Sequence, residues 1–247
     1  MERQPTRSTR KVDPDREFDT TSLRENAHGQ WVHRDYAAHF FRWGFAGRFS
    51  DRTTDILDVG CGPDCPMIKV LTMPLSSVPR SYLGVDLNRP PRNPPSRQWA
   101  ELRWEFNFIK RHKEIDRKFG LITNFEVIEH MAKTDGERLL AAMREHLAPG
   151  GRILLSTPVF SGSAAANHLH EWTVDELSTS IKKARLTVIN RFGTFARWNK
   201  IRKVASKEEL EIAKNVAKYY SGEVMACFLA PLYPDASSNN VWELTHA

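Results

Sequence analysis

The sequence predicts an α/β fold around a mostly parallel sheet, and three stretches carry that prediction. Ile56, Leu57 and Val59 make a short apolar run suited to a strand buried on both faces, ending in Gly60-Cys61-Gly62. Tyr82-Leu83-Gly84-Val85-Asp86 is a second such run, closed by an acid 24 residues after Gly62. Arg152 to Pro158 is a third, entered through Pro149-Gly150-Gly151 behind the helical spacing Leu139, Leu140, Met143 and Leu147. Strands alternating with helices read as parallel units with helices on the sheet's faces.

Composition narrows the class. A chain of 247 residues can bury one sizeable core, so one domain with additions is expected. The net charge of +6 permits an anionic partner without requiring one. Three cysteines, Cys61, Cys65 and Cys227, cannot form a disulfide framework. No apolar run approaches a membrane span, and the first residues lack the apolar core of a signal peptide. The expectation is a soluble, cytoplasmic protein without a membrane partner.

Taken in order, residues 1–22 are polar and basic, with Arg3, Arg7, Arg10, Lys11 and Arg16, and are expected to form a flexible arm. Val32, Tyr36, Phe40, Trp43 and Gly47 then form one stripe of an amphipathic helix. After the glycine turn, Cys65 to Thr72 should be helical, with Pro66 tolerated in its first turn. The proline-rich stretch from Asn88 to Ser96 reads as a loop. Leu102 to Phe106 is a candidate third strand, and Phe119 to Phe125 a fourth. Thr173-Val174-Asp175-Glu176 is a capping box opening a helix through Lys183. Leu186 to Phe192 alternates like a strand, Asn199 to Tyr220 has helical periodicity, and Val224 to Leu229 reads as the last strand.

The turn Asp58-Val59-Gly60-Cys61-Gly62-Pro63 resembles the first motif of the class I S-adenosylmethionine-dependent methyltransferases, roughly [DE]-x-G-x-G-x-[GP]. Leu147-Ala148-Pro149-Gly150-Gly151 resembles that family's L-x-P-G-G motif, a second and independent match. The resemblance covers roughly residues 55–160. It implies a Rossmann-like, seven-stranded, mostly parallel sheet of order 3-2-1-4-5-7-6, its last strand antiparallel. It also implies a single methyltransferase domain over residues 23–247, with a lid helix at 23–50 and a helical insertion at 195–222 before the last strand. S-adenosyl-L-methionine is the implied cofactor. Its amino group would meet Asp58, directly or through water, and its methionine part would lie on Gly60, Cys61 and Gly62. A carboxylate at Asp86 suits vicinal ribose hydroxyls, which NAD would offer equally. Leu87, Asn107, Phe108, Asn124 and Phe125 complete the expected cofactor contacts; Asn107 stands where the family usually has an acid. Tyr36 and His33 are candidates from the lid.

Methyl transfer from a sulfonium needs alignment of the nucleophile and, for a hydroxyl, removal of its proton. Glu126, Glu129 and His130 stand at i, i+3 and i+4 and would share a helical face if a helix began there. His168 and His170 follow the fifth strand and can overhang the same pocket. His130, His168 or His170 is a candidate general base, with Glu126 beside them. E-x-x-E-H also resembles the metal sites of small-RNA 3′-end 2′-O-methyltransferases and some ubiquinone-pathway O-methyltransferases, which makes Glu126, Glu129 and His130, with a loop histidine, alternative ligands for a divalent metal. The acceptor is expected to be a small molecule or nucleotide-type metabolite, methylated at oxygen or nitrogen. A nucleic acid substrate, favoured by the basic arm, and a non-catalytic scaffold of the same fold are the competing readings.

Overall fold

Seven strands form one sheet in the order β3-β2-β1-β4-β5-β7-β6. The computed structural model describes residues 34–73, 77–90, 97–216 and 222–247. The arm expected at 1–22, His33, and residues 91–96 of the expected loop therefore lie outside the described residues. The chain runs α1 (Arg34–Gly47), β1 (Asp55–Val59), α2 (Pro66–Leu71), β2 (Ser81–Val85), β3 (Ala100–Arg103), α3 (Phe108–Arg111) and β4 (Phe119–Phe125). It continues through α4 (Lys133–His146), β5 (Leu147–Pro158), α5 (Val174–Lys183), β6 (Leu186–Ala196), α6 (Trp198–Ile201), α7 (Lys207–Val216), α8 (Gly222–Leu229) and β7 (Ser237–His246). Strands β1 to β5 pair in parallel, and β7 is antiparallel to both neighbours. No helix among the described residues is long and apolar enough to cross a membrane.

The period of two along each strand divides the core between the two faces. Leu57, Val59, Leu83, Ile122, Ile153 and Leu155 belong to one cluster with Leu139, Leu140 and Met143 of α4 and Leu177 and Ile181 of α5. Ile56, Tyr82, Leu121 and Leu154 belong to the other, with Ala46 of α1 and Met67, Ile68 and Leu71 of α2. Asp58 alternates onto this second face, beside Thr123 in the β1–β4 register.

Four expectations need correction. Val224 to Leu229 is not the last strand but most of α8, and the last strand is Ser237–His246. An unbroken apolar run has no period with which to tell a buried strand from a buried helix. Here Phe228 turns to Phe41 of α1, with ring centroids 5.0 Å apart. The true last strand was masked by its polar residues. Asn240 is buried because its amide donates to the Pro234 carbonyl, and Glu243 because it pairs with Arg152. The third strand is Ala100–Arg103 rather than Leu102–Phe106, because Glu105 takes a left-handed φ of 54° and turns Phe106 into the core. The stripe is broken at Phe40, which is 50% exposed, while Trp43 packs against the core and Ala38, Arg42 and Ala46, spaced four apart, are buried. Finally, Glu126, Glu129 and His130 do not share an α-helix. Glu126 is left-handed (φ 56°), a single 3₁₀ turn covers Ile128–His130, and α4 begins only at Lys133.

Candidate active site

The carboxyl ends of β1 and β2 meet at the Gly60–Gly62 turn, with Val127 after β4 packed against it. Gly60 and Cys61 donate their N–H groups to the Val85 carbonyl at 2.8 and 3.2 Å, which folds the turn over the end of β2. Gly60 (φ 79°) admits no side chain, since a Cβ there would lie 2.3 Å from Cγ2 of Val127. Gly62 donates its N–H to Oδ2 of Asp86 at 3.0 Å, and Asn88 donates its own to Oδ1 at 2.8 Å. The Asp86 carboxylate thus braces the loop while remaining half-buried. Leu87 follows it, 61% exposed.

Asp58 lies inside, under this turn. The Tyr82 hydroxyl donates to Oδ2 and the Thr123 hydroxyl to Oδ1, each at 2.7 Å. Gly84 makes the first bond possible, since a Cβ there would lie 2.9 Å from Cε1 of Tyr82. Burial pushes the Asp58 carboxyl up to about 6, against the two hydroxyl hydrogen bonds that favour its ionised form. The carboxylate therefore ties β1 to β2 and β4 just before the turn. Cys61 and Cys65 are buried in the core cluster below, so Cys61 faces the turn's upper side through its backbone alone. A hydrogen bond with Cys65, together with burial, pushes the Cys61 thiol up.

The remaining expected cofactor contacts divide. Asn124 is buried and donates from Nδ2 to the Val59 carbonyl at 2.9 Å, while its Oδ1 has no partner among the described residues. Phe125 is half-buried beneath α1. Asn107 spends its carbonyl oxygen capping α3 through the Lys110 N–H at 3.1 Å. Phe108 is a correction: it is 5% exposed and packs on His112 and His146, so its ring belongs to the core and not to a stacking surface. Tyr36 lies in α1, but its side chain is outside the described residues.

Across the ends of β4 and β5, the organising residue is one that no sequence motif singled out. Arg42 of α1 is 2% exposed and reaches over the sheet to Oε1 of Glu126 at 2.8 Å and Oγ of Ser156 at 3.1 Å. It also donates to Nδ1 of His39 at 2.5 Å and lies over the Phe125 ring, 5.1 Å from its centroid. Burial, with Arg42 beside it, holds the His39 imidazole neutral, well below its ordinary range. Ser156 and Asn239 complete the Glu126 carboxylate at 2.7 and 2.6 Å. Glu126 is therefore occupied as a structural partner, which removes it from the expected base and metal sets. The available signal was Ala38-x-x-x-Arg42-x-x-x-Ala46: two alanines that let a helix approach closely, with a cation between them.

Glu129, His130 and His168 do come together, each offering a ligand atom within 4.8 Å of the others. Glu129 is buried and accepts from Thr157 at 3.1 Å; burial, and then the charge of Glu126, push its carboxyl well above the usual range. Nδ1 of His130 donates to the Asn167 carbonyl at 3.2 Å. The loop carrying His168 is tied down where the N–H groups of Leu169 and His170 meet the Glu129 carbonyl. His170 is not part of this group. Its ring packs on Trp172, and its Nε2 lies 3.9 Å from Glu176, in the capping box of α5.

Asp58, Glu126 and Glu129 all act on the buried guanidinium of Arg42. The pocket has more acid than base. A ligand bringing positive charge, such as a sulfonium with its ammonium group, fits that deficit, and the orphaned Oδ1 of Asn124 offers a buried acceptor close by. A mostly parallel sheet of this strand order, with a glycine turn after β1 and an acid after β2, is the architecture of the class I transferase type. The family described as "Methyltransferase domain" matches residues 19–192, more than half of the chain, and the chain belongs to it. It is an S-adenosylmethionine-dependent methyltransferase with the Rossmann-like fold of that class.

Solved structures similar to this chain share its fold at low identity. The [4+2]-cyclase SpnF is 13% identical, with a TM-score of 0.53, over 88% of this chain and 85% of its own. A SAM-dependent methyltransferase from Archaeoglobus fulgidus is 13% identical at 0.53, over 86% and 94%. The N-methyltransferase NodS from Bradyrhizobium japonicum WM9, solved with S-adenosyl-L-homocysteine, is 12% identical at 0.52, over 86% of each chain. No curated protein sequence matches the chain significantly.

Proposed function

We propose that this enzyme methylates a small-molecule or nucleotide-type acceptor at oxygen or nitrogen, and that Glu129, His130 and His168 form the acceptor side of its site. The observation that carries this reading is their convergence within 4.8 Å at the ends of β4 and β5, beside the glycine turn. Bound S-adenosylmethionine supplies an activated methyl carbon on a good leaving group. Gly60 and Gly62 let the backbone approach the cofactor, Asp86 takes the ribose hydroxyls, and Asp58 holds the turn and balances the ammonium charge. Helix α1 is the lid, held by Arg42 on Glu126. A histidine of the group accepts the proton of a hydroxyl acceptor, which favours oxygen over nitrogen. Buried cysteines that form no disulfide support a cytoplasmic setting.

A second reading rests on the same convergence. Glu129, His130 and His168 are a ligand set for a divalent cation, with Glu126 replaced in that role by His168. A cation would draw the proton from Glu129, and the Asn167 carbonyl already orients His130 as a ligand's partner does.

The test is a panel of hydroxylated aromatics, nucleosides, nucleotides and RNA, assayed with methyl-labelled cofactor before and after chelation. Turnover of a small acceptor, lost in one of H130A and H168A with S-adenosylhomocysteine binding kept, supports the reading. Loss on chelation, restored by Mg²⁺ or Mn²⁺, selects the metal. Turnover confined to RNA and falling steeply with salt would replace the small-acceptor reading with a nucleic acid one.

A further inference from the structure

Glu171, one residue before the buried Trp172, belongs to none of the motifs above. Its Oε1 accepts from Nδ1 of His168 at 2.6 Å and from the N–H of Ala165 at 3.0 Å. Both side chains are nearly buried, 9% exposed for His168 and 8% for Glu171. The His168 N–H returns to the Ala165 carbonyl at 3.0 Å, which closes the loop around the pair.

We propose that Glu171 is a positioning residue for this reaction: it holds His168 as the Nδ1–H tautomer, so that Nε2 is the nitrogen carrying the lone pair. An ionised carboxylate only accepts hydrogen bonds, so a short contact with Nδ1 places the proton there. The Nε2 lone pair is what either a proton-accepting or a metal-ligating His168 requires. His130 is set the same way by a different device, its Nδ1 donating to the Asn167 carbonyl. Two histidines of one cluster thus have their tautomers dictated by neighbours on a single loop, Asn167 and Glu171. This inference rests on the acceptor-side reading above.

The experiment is ¹⁵N–¹H correlation NMR of the full chain with ¹⁵N-labelled histidine and S-adenosylhomocysteine added, His168 being assigned with H168Q. The wild type should show a protonated Nδ1 and a lone-pair Nε2 at His168. In E171Q the amide keeps an oxygen for the Ala165 N–H but can turn its NH₂ to Nδ1, and the Nε2–H fraction should rise about fivefold or more. A purely structural Glu171, needed only to cap Ala165, would leave that fraction unmoved. An unchanged fraction in E171Q overturns the proposal. So does an Nε2–H signature in the wild type, which decides the matter alone if E171Q fails to fold. Calorimetry with S-adenosylhomocysteine on the same samples reports separately on the cofactor site, so failure of the functional reading is distinguishable from failure of the tautomer assignment.

Discussion

Asp58 gives the chain a pH dependence with a definite sign. Its carboxyl titrates near 3.8 when unperturbed and about 6 when buried under the turn. The folded state therefore holds the proton more tightly than the unfolded one, so the contribution of Asp58 to stability is fully present below the lower value and is lost as pH rises between the two. That difference corresponds to about 3 kcal/mol. Asp58→Asn should flatten the dependence between these values in urea titrations of the cofactor-free protein; a slope unchanged in the variant refutes the assignment. Asp86→Ala should weaken S-adenosylhomocysteine binding by about 1–3 kcal/mol through loss of charged hydrogen bonds, and equal affinity by calorimetry would count against its ribose role. Arg42→Ala leaves the Glu126 carboxylate without its cation in a largely buried setting. The expected cost is about 3–5 kcal/mol, and Arg42→Met with Glu126→Gln should cost less than the sum of the single changes in a denaturation cycle. At this scale the glycine turn was legible, because backbone shape close in sequence dictates its residue types. Arg42 was not, because its partners Glu126 and Ser156 lie more than eighty residues away.

Among the elements, those with local start and stop signals were read best. The capping box at Thr173 is present in full, with the Thr173 hydroxyl accepting from the Glu176 N–H and Glu176 from the Thr173 N–H. Thr173→Ala should cost about 1 kcal/mol, seen as a lowered urea midpoint with unchanged slope. Strands β1, β2 and β4 were recognisable because both their faces are buried and their sequences are apolar almost throughout. Helix α8 and strand β7 were exchanged in the reading for the reverse reason. Burial of an apolar run does not specify its backbone, and the polar groups of β7 are buried only because Arg152 and Pro234 meet them.

For the whole molecule, the cofactor should act as a folding ligand. S-adenosylhomocysteine at a hundred times its dissociation constant should add about 2.7 kcal/mol to unfolding, measured as a shift in thermal midpoint that Asp86→Ala reduces. A shift absent in the wild type would remove the cofactor site from the cleft described here. SpnF, a cyclase, has the same fold as this chain at low identity, so the architecture alone does not dictate the reaction. The residues at the sheet's carboxyl edge do, and the acceptor site proposed here would draw on three separate segments: α1, the turn after β4 and the loop after β5.

The sequence by itself determined the sheet's parallel half, the glycine turn and the carboxylate after β2, since these depend on short-range patterns of burial, backbone freedom and charge. Only the tertiary structure decided that Glu126 is tied to Arg42, that His168 and not His170 joins Glu129 and His130, and that Phe108 is core. Those outcomes turn on which distant side chain desolvates or pairs with which, and no spacing along the chain carries that information.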